Sequence, residues 1–182
     1  IKVLGDEVKQ AGSQVEENRM RFDFTFSRAM TPQEVKKTED IMNKWIGEKL
    51  PVNTDVMGIE EAKLTGATAL FGEKYEDVVR VVSIGGKAKC NCGSDCSCDH
   101  ESGQEKEVIS KEFCAGTHAS NTADLRLVKI VSEGAIAAGT RRIEAVVADA
   151  AIDYLNAKSA EIDKLASRFK VHFDEVESRI EK

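Results

Sequence analysis

The sequence predicts an α+β fold: a mixed or antiparallel sheet with packed helices, followed by a C-terminal helical connector. Three stretches carry this prediction. Met20-Arg21-Phe22-Asp23-Phe24-Thr25-Phe26 alternates apolar and polar residues, the period of a half-buried strand. Val78-Val79-Arg80-Val81-Val82-Ser83-Ile84 is a β-branched run suited to a buried strand and closed by Gly85-Gly86. From Asp149 onward Ile152, Leu155, Ile162, Leu165 and Phe169 recur at helical spacing.

The remaining elements follow in chain order. Thr31-Pro32-Gln33-Glu34 opens a helix: Thr31 is an N-cap, Pro32 fits the first turn, and Glu34 closes a capping box. Val35, Ile41, Met42, Trp45 and Ile46 form its apolar stripe, and Gly47 suits its end. A short helix is expected from Ile59 to Leu64, stopped by Gly66. The segment from Lys87 to Lys106 is polar, cysteine-rich and without periodicity. Strand character returns at Val108 to Phe113, Leu125 to Ser132 and Arg142 to Val147, and a last short helix follows Asp174 with Val176 and Ile180 on one face. There is no internal repeat. The expected division is a domain over 1–148, a Cys-rich insert within it at 87–106, and a connector over 149–182 whose stripe serves core packing or a helix-pair seam.

With 41% hydrophobic and 32% charged residues among 182, the composition is that of a globular chain, neither disordered nor membranous. No apolar run approaches a membrane span, so no membrane partner is expected. A net charge of −6 argues against a general nucleic-acid surface, leaving room only for a small RNA contact. The basic pairs Lys36-Lys37, Lys87/Lys89 and Arg141-Arg142 read as solvated faces when taken alone. The chain opens at Ile1, and the expectation is one cut from a longer protein. Five cysteines without a secretory pattern point to reduced thiols, in the cytoplasm or in a mitochondrion or plastid.

The most informative stretch is Glu112-Phe113-Cys114-Ala115-Gly116-Thr117-His118. A thiolate and an imidazole four residues apart are both favoured zinc ligands, and Ala115-Gly116 permits a turn tight enough to aim them at one ion. The competing reading of Cys114 is a buried free thiol. Separately, Cys90, Cys92, Cys96 and Cys98 form Cys-x-Cys-x3-Cys-x-Cys, a candidate second metal site that resembles a piece of metallothionein. The alternative is an insert whose thiols bind nothing.

Four separated blocks resemble the editing domain of alanyl-tRNA synthetases. The first is Val3-Leu4-Gly5-Asp6-Glu7-Val8-Lys9-Gln10-Ala11-Gly12-Ser13 with Arg21-Phe22-Asp23-Phe24. The second is Gly66-Ala67-Thr68-Ala69-Leu70-Phe71-Gly72-Glu73-Lys74-Tyr75 with Val79-Arg80-Val81-Val82. The third is Cys114 to His118 with Ser120-Asn121-Thr122. The fourth is Ile130-Val131-Ser132-Glu133 with Ala137-Ala138-Gly139-Thr140-Arg141-Arg142-Ile143-Glu144-Ala145-Val146. The resemblance covers essentially the whole chain, the connector included. The chain departs from the family at Glu7, where His is usual, and at Ala115 and Ala135, where Gly is usual. It departs again at Val147-Ala148, where the family has Thr-Gly. The alanines matter wherever the backbone needs positive φ.

The resemblance implies a two-layer editing-domain fold and hydrolysis of serine or glycine misattached to tRNA(Ala). It implies zinc held by Cys114 and His118 together with two histidines of an upstream His-x3-His helix, which these residues do not include. The remaining histidines, His100 and His172, match no ligand. Gln10 and Thr117 are the implied catalytic residues, with Gln10 also reading the substrate beside Lys74 and Arg141. The implied partners are the 3′ end of tRNA(Ala), the rest of a synthetase polypeptide and, through its C-terminal region, a second copy. ATP and alanine sites would lie elsewhere in such a protein. Two other readings stay open: a free-standing deacylase that edits in trans, and a non-enzymatic metal-binding module using the Cys90–Cys98 loop. The bland alternatives are a surface Gln10, a Thr117 that bonds local backbone, and an Arg141-Arg142 pair salt-bridged to Glu144.

Overall fold

Two antiparallel sheets, each covered on one face by a helix, make up the α+β body among the described residues. The computed structural model describes residues 2–17, 19–69, 75–87 and 106–181. Lys74 and the cysteines Cys90, Cys92, Cys96 and Cys98 lie outside them, as does His100.

The four-stranded sheet has the order β1-β2-β7-β6. It is built from β1 (Gln10–Val15), β2 (Arg19–Thr25), β6 (Val128–Ala137) and β7 (Thr140–Val147). The alternation read in 20–26 places Phe22 and Phe24 on the face that carries Ile143, where they pack with Phe26, Met30, Leu4 and Val8. Helix α1 (Pro32–Gly47) covers that face, seating Ile46 against Val128, Ile130 and Ala145. The expected capping box is present: Thr31 Oγ1 accepts from Glu34 N at 3.2 Å, and Thr31 N donates to Glu34 Oε2 at 2.8 Å. The helix ends at Gly47 as expected, but the left-handed position comes two residues later, at Lys49, with φ 53°.

α1 also shields the edge of the sheet. Asn43 exchanges two hydrogen bonds with the backbone of Val128, donating to its carbonyl at 3.0 Å and accepting from its N–H at 2.9 Å. One turn earlier, Glu39 Oε2 accepts from Ile130 N at 2.9 Å. Two side chains thus do for β6 what a further strand would, satisfying buried edge groups without exposing them to another chain.

The second sheet has the order β3-β4-β5, from β3 (Val52–Gly58), β4 (Val78–Gly86) and β5 (Lys106–Phe113). Helix α2 (Ile59–Leu64) lies on one face, its Ala62 buried against Val79, Val81 and Phe113. Gly66, with φ 75°, follows the helix as expected. Gly85 has no substitute: a Cβ there would sit 2.0 Å from the carbonyl oxygen of Glu107 on β5, and its φ is 101°.

Leu125 belongs to a 3-10 turn, Thr122–Leu125, and not to the strand expected there, because the Asn121 side chain caps the turn by accepting from Ala123 N at 2.8 Å. This turn ties the two sheets together. Thr122 Oγ1 donates to the Trp45 carbonyl at the end of α1 and accepts from Leu50 N, both at 2.8 Å. Val52 N donates to Ser120 O at 2.9 Å.

Helix α3 (Ala148–Phe169) leaves β7 and ends at Lys170 in the left-handed region; α4 (Val176–Ile180) then folds back, burying Val176. The stripe of Ile152, Leu155, Ile162, Leu165 and Phe169 remains 38–46% exposed. Among the described residues, none of the five joins a core cluster. No helix among the described residues is long and apolar enough to cross a membrane.

Candidate functional site

Cys114 follows the last residue of β5, and the strand pairing that places it is firm. Phe113 is buried, meets Tyr75 edge-on at 5.1 Å and donates its N–H to Thr68 O at 3.0 Å. Cys114 N donates to Arg80 O at 3.0 Å. The chain then turns away over Ala115 and Gly116. A Cβ built on Gly116 would lie 3.6 Å from Cys114 Sγ and 3.9 Å from His118 Cε1, so thiol and imidazole flank the same small space. Cys114 is half-buried, while Thr117 and His118 are exposed. A thiolate and an imidazole on one side of a glycine turn suit a borderline-soft cation and supply two of the four ligands of a tetrahedral site. Among the described residues no group of three or more His, Cys, Asp or Glu side chains could hold a metal. Thr117 makes no hydrogen bond among the described residues, so support of the turn does not come from its hydroxyl.

That support comes from Arg80, a residue of the β-branched run of β4. Its Nη1 donates to the carbonyl of Ala115 at 3.2 Å and to that of Gly116, and its Nη2 reaches Thr54 Oγ1 at 3.4 Å. A positively charged residue inside the run Val78 to Ile84 was the available signal. Its partner lies 35 residues downstream and has no local trace.

The other expected residues lie on the four-stranded sheet. Gln10 opens β1 opposite Phe24, at a bulge between Gln10 and Gly12, and is exposed; its Nε2 donates to Ser13 Oγ at 3.2 Å. Arg141 and Arg142 alternate faces on β7, but neither takes Glu144 as its hydrogen-bonded partner. Arg141 makes a two-pronged pair with Glu133 on β6, both bonds 2.6 Å, with side chains only 14% and 11% exposed. Arg142 pairs in the same way with Asp23 at 2.6 and 2.8 Å, holding the Asp23 carboxyl below the usual range. Glu144 is taken by Ser132 and Arg19. Among the described hydrogen bonds, Arg141 Nη1 has no acceptor. His172 belongs to the C-terminal segment, its Nδ1 3.2 Å from Asp174 Oδ2.

Comparison with known proteins identifies the class. The profile of the threonyl and alanyl tRNA synthetase second additional domain matches residues 79–144, the stretch from β4 through β7 that contains Arg80, Cys114 and His118. The chain belongs to this family. Within it the similarity is to alanine–tRNA ligases. It is 42% identical over 98% of its length to that of Synechococcus sp. (strain JA-3-3Ab), and 42% identical over 99% to the chloroplastic/mitochondrial form of Populus trichocarpa. The chloroplastic/mitochondrial form of Arabidopsis thaliana is 41% identical over 99%. The chain spans 16–18% of the length of these relatives.

Proposed function

We propose that the chain is the editing part of an alanine–tRNA ligase and removes serine or glycine wrongly esterified to tRNA(Ala). The observation that carries this is similarity across 98–99% of the chain to alanine–tRNA ligases, combined with a thiol and an imidazole facing one space beside Gly116. The need for such a site follows from binding energetics. A pocket for alanine cannot strongly reject the smaller glycine, and one extra hydroxyl on serine gives limited discrimination, so a second, hydrolytic site has to supply the rest.

In this reading the Gln10 amide, able to donate and accept, leaves Ser13 and pairs with the substrate hydroxyl; alanine would leave it unpaired at a cost. Arg141 keeps Glu133 and offers Nη1 to a phosphate of the tRNA 3′ end, with Lys74 assisting. Thr117 holds the ester or its attacking water through its hydroxyl. Cys114 and His118 are two ligands of a zinc ion, which when bound would orient the substrate or polarise an oxygen. The rest of the ligase polypeptide, a second copy, and a cytoplasmic, mitochondrial or plastid setting belong to the same proposal.

The test is serine release from seryl-tRNA(Ala) by the chain, with alanyl-tRNA(Ala) as control. Slow, Cys114-dependent release that spares the alanyl ester is expected, because a zinc held by two protein ligands is poorly fixed. Release that survives both Cys114→Ala and chelation, or equal attack on the alanyl ester, would refute it. Should turnover be too slow to follow, binding of 3′-(seryl-amino)adenosine decides, with loss expected in Gln10→Ala and unchanged affinity counting against the proposal.

A further inference from the structure

We propose that Arg80 is the positioning residue of the Cys114–His118 turn, holding it in the shape in which thiol and imidazole share one space. This rests on the metal-holding role proposed above for that turn. The eight-residue link from Cys114 to Asn121, between β5 and the Thr122 node, would otherwise be fixed only at its ends. One end is β5 itself, and the other is the bond from Val52 N to Ser120 O at 2.9 Å. Between them lie Ala115 to Ala119, all exposed.

Arg80 closes that gap from three directions. Its carbonyl takes the N–H of Cys114 at 3.0 Å, and its guanidinium takes the next two carbonyls, of Ala115 (3.2 Å) and Gly116. Three consecutive residues of the turn are thus tied to one residue of β4. The guanidinium is itself steadied by Thr54 on the neighbouring strand, 3.4 Å from Nη2. Pairing in the sheet sets Thr54 opposite Val82 and Arg80 opposite Val56, so the two side chains stand diagonally on one face, opposite the face covered by α2. A planar fork with donors at fixed angles can span two carbonyls and a hydroxyl at once; an ammonium on a flexible stem cannot hold that geometry. Residues that orient metal ligands without touching the metal change affinity by about 10–100-fold when removed. Arg80 has the geometry for that role, acting through the backbone of the ligands and not through their side chains.

The experiment uses the full chain with Cys90, Cys92, Cys96 and Cys98 changed to Ser, so that Cys114 is the only thiol. Co(II) is titrated and read by its thiolate charge-transfer absorption. The order of the turn is read separately, without metal, from backbone amide relaxation at Gly116 and Thr117. Arg80→Met is expected to weaken Co(II) binding by about 10–100-fold and to mobilise both amides, with the urea midpoint of the whole chain little changed. Arg80→Lys should lie between, and Thr54→Val should loosen the turn less than either. Co(II) affinity and amide order within about two-fold of the parent in Arg80→Met would overturn the proposal. If the parent itself shows no Cys114-dependent Co(II) signal, the metal-holding reading fails, and the amide relaxation alone decides Arg80. If Arg80→Met does not fold, unchanged turn order in Arg80→Lys and Thr54→Val overturns the proposal, and loosening in both upholds it.

Discussion

Changing Ala148 to glycine should stabilise this protein, although it enlarges no contact. Val147 is extended at φ −131° and ψ 164°, and the chain must swing from β7 into α3 in a single step. It does so at Ala148, whose φ is 51°, while its N–H donates to Leu127 O at 3.0 Å and fixes the direction. A Cβ in the left-handed region meets the following carbonyl, at a cost of about 1–2 kcal/mol. Glycine removes that clash but adds about 0.5–1 kcal/mol of backbone entropy to the unfolded chain. The difference favours Ala148→Gly by roughly 0.5–1 kcal/mol, which for a chain of this size is about 1–4 °C in Tm. Urea unfolding followed by circular dichroism and by Trp45 fluorescence, with coincident transitions, measures it. Ala115→Gly and Ala135→Gly are the controls, because neither is among the positive-φ residues Lys49, Arg126, Ala148 and Lys170. Ala135, on β6, should lose about 0.5–1 kcal/mol as glycine. A loss of stability in Ala148→Gly, or the same sign at 135 and 148, would refute the reasoning.

Two further outcomes follow from particular bonds. Thr122→Val keeps the shape of a residue only 8% exposed but strips partners from Leu50 N and the Trp45 carbonyl. A loss of about 2–4 kcal/mol is expected in urea melts, and less than about 1 kcal/mol would mean that water or a local shift satisfies both groups. Glu34, bonded first by Arg28 and then by Thr31, has its carboxyl lowered from 4.5 to about 2. A depressed folded value gives stability that is present above the unfolded value and lost as pH falls, here between about 4.5 and 2. Glu34→Gln should therefore flatten stability against pH across that window, and an unchanged slope would remove Glu34 from the account of acid sensitivity.

What the sequence made legible was whatever local chemistry determines. The capping box at Thr31 and Glu34, the alternation through Phe22 and Phe24, and the β-branched run before Gly85 each needed only near neighbours, and each element formed as read. β1 did not show, because Gln10-Ala11-Gly12-Ser13-Gln14-Val15 has no apolar alternation and is a strand only through pairing with β2. β3 is similar: Val52–Gly58 carries two polar residues and an acid, and β4 recruits it. At the site, Cys114 and His118 were legible because their spacing is local. The partner of Arg141 was not: Glu144, three residues on along the same strand, falls on the opposite face, and Glu133 reaches the guanidinium diagonally only through the β6–β7 register, in which Arg141 faces Ala135. Arg80 stayed hidden for the same reason at longer range.

The separation of the expected site residues onto two sheets gives the Thr122 turn a meaning beyond stability. Gln10 and Arg141 ride on the four-stranded sheet, and Cys114 and His118 hang from the three-stranded one. A substrate read by both sets feels any change in how the sheets are set against each other. The 3-10 turn is one place where that relation is fixed, beside the bond from Lys106 of β5 to the Glu48 carbonyl: Thr122 holds α1, which is seated on the first sheet, while Ser120 and Asn121 hold the chain entering β3. Gly85 N then donates to Pro51 O at 2.8 Å, and Asn53 Nδ2 donates to Gly85 O at 3.2 Å, locking β4 to the same point. The block Ser120-Asn121-Thr122 accompanies Cys114 to His118 in the sequence resemblance, and its role here is geometric. It ties the part that would read the amino acid to the part that would hold the ion. In Thr122→Val that remains folded, substrate affinity should therefore fall more than Co(II) affinity at Cys114, although Thr122 touches neither ligand.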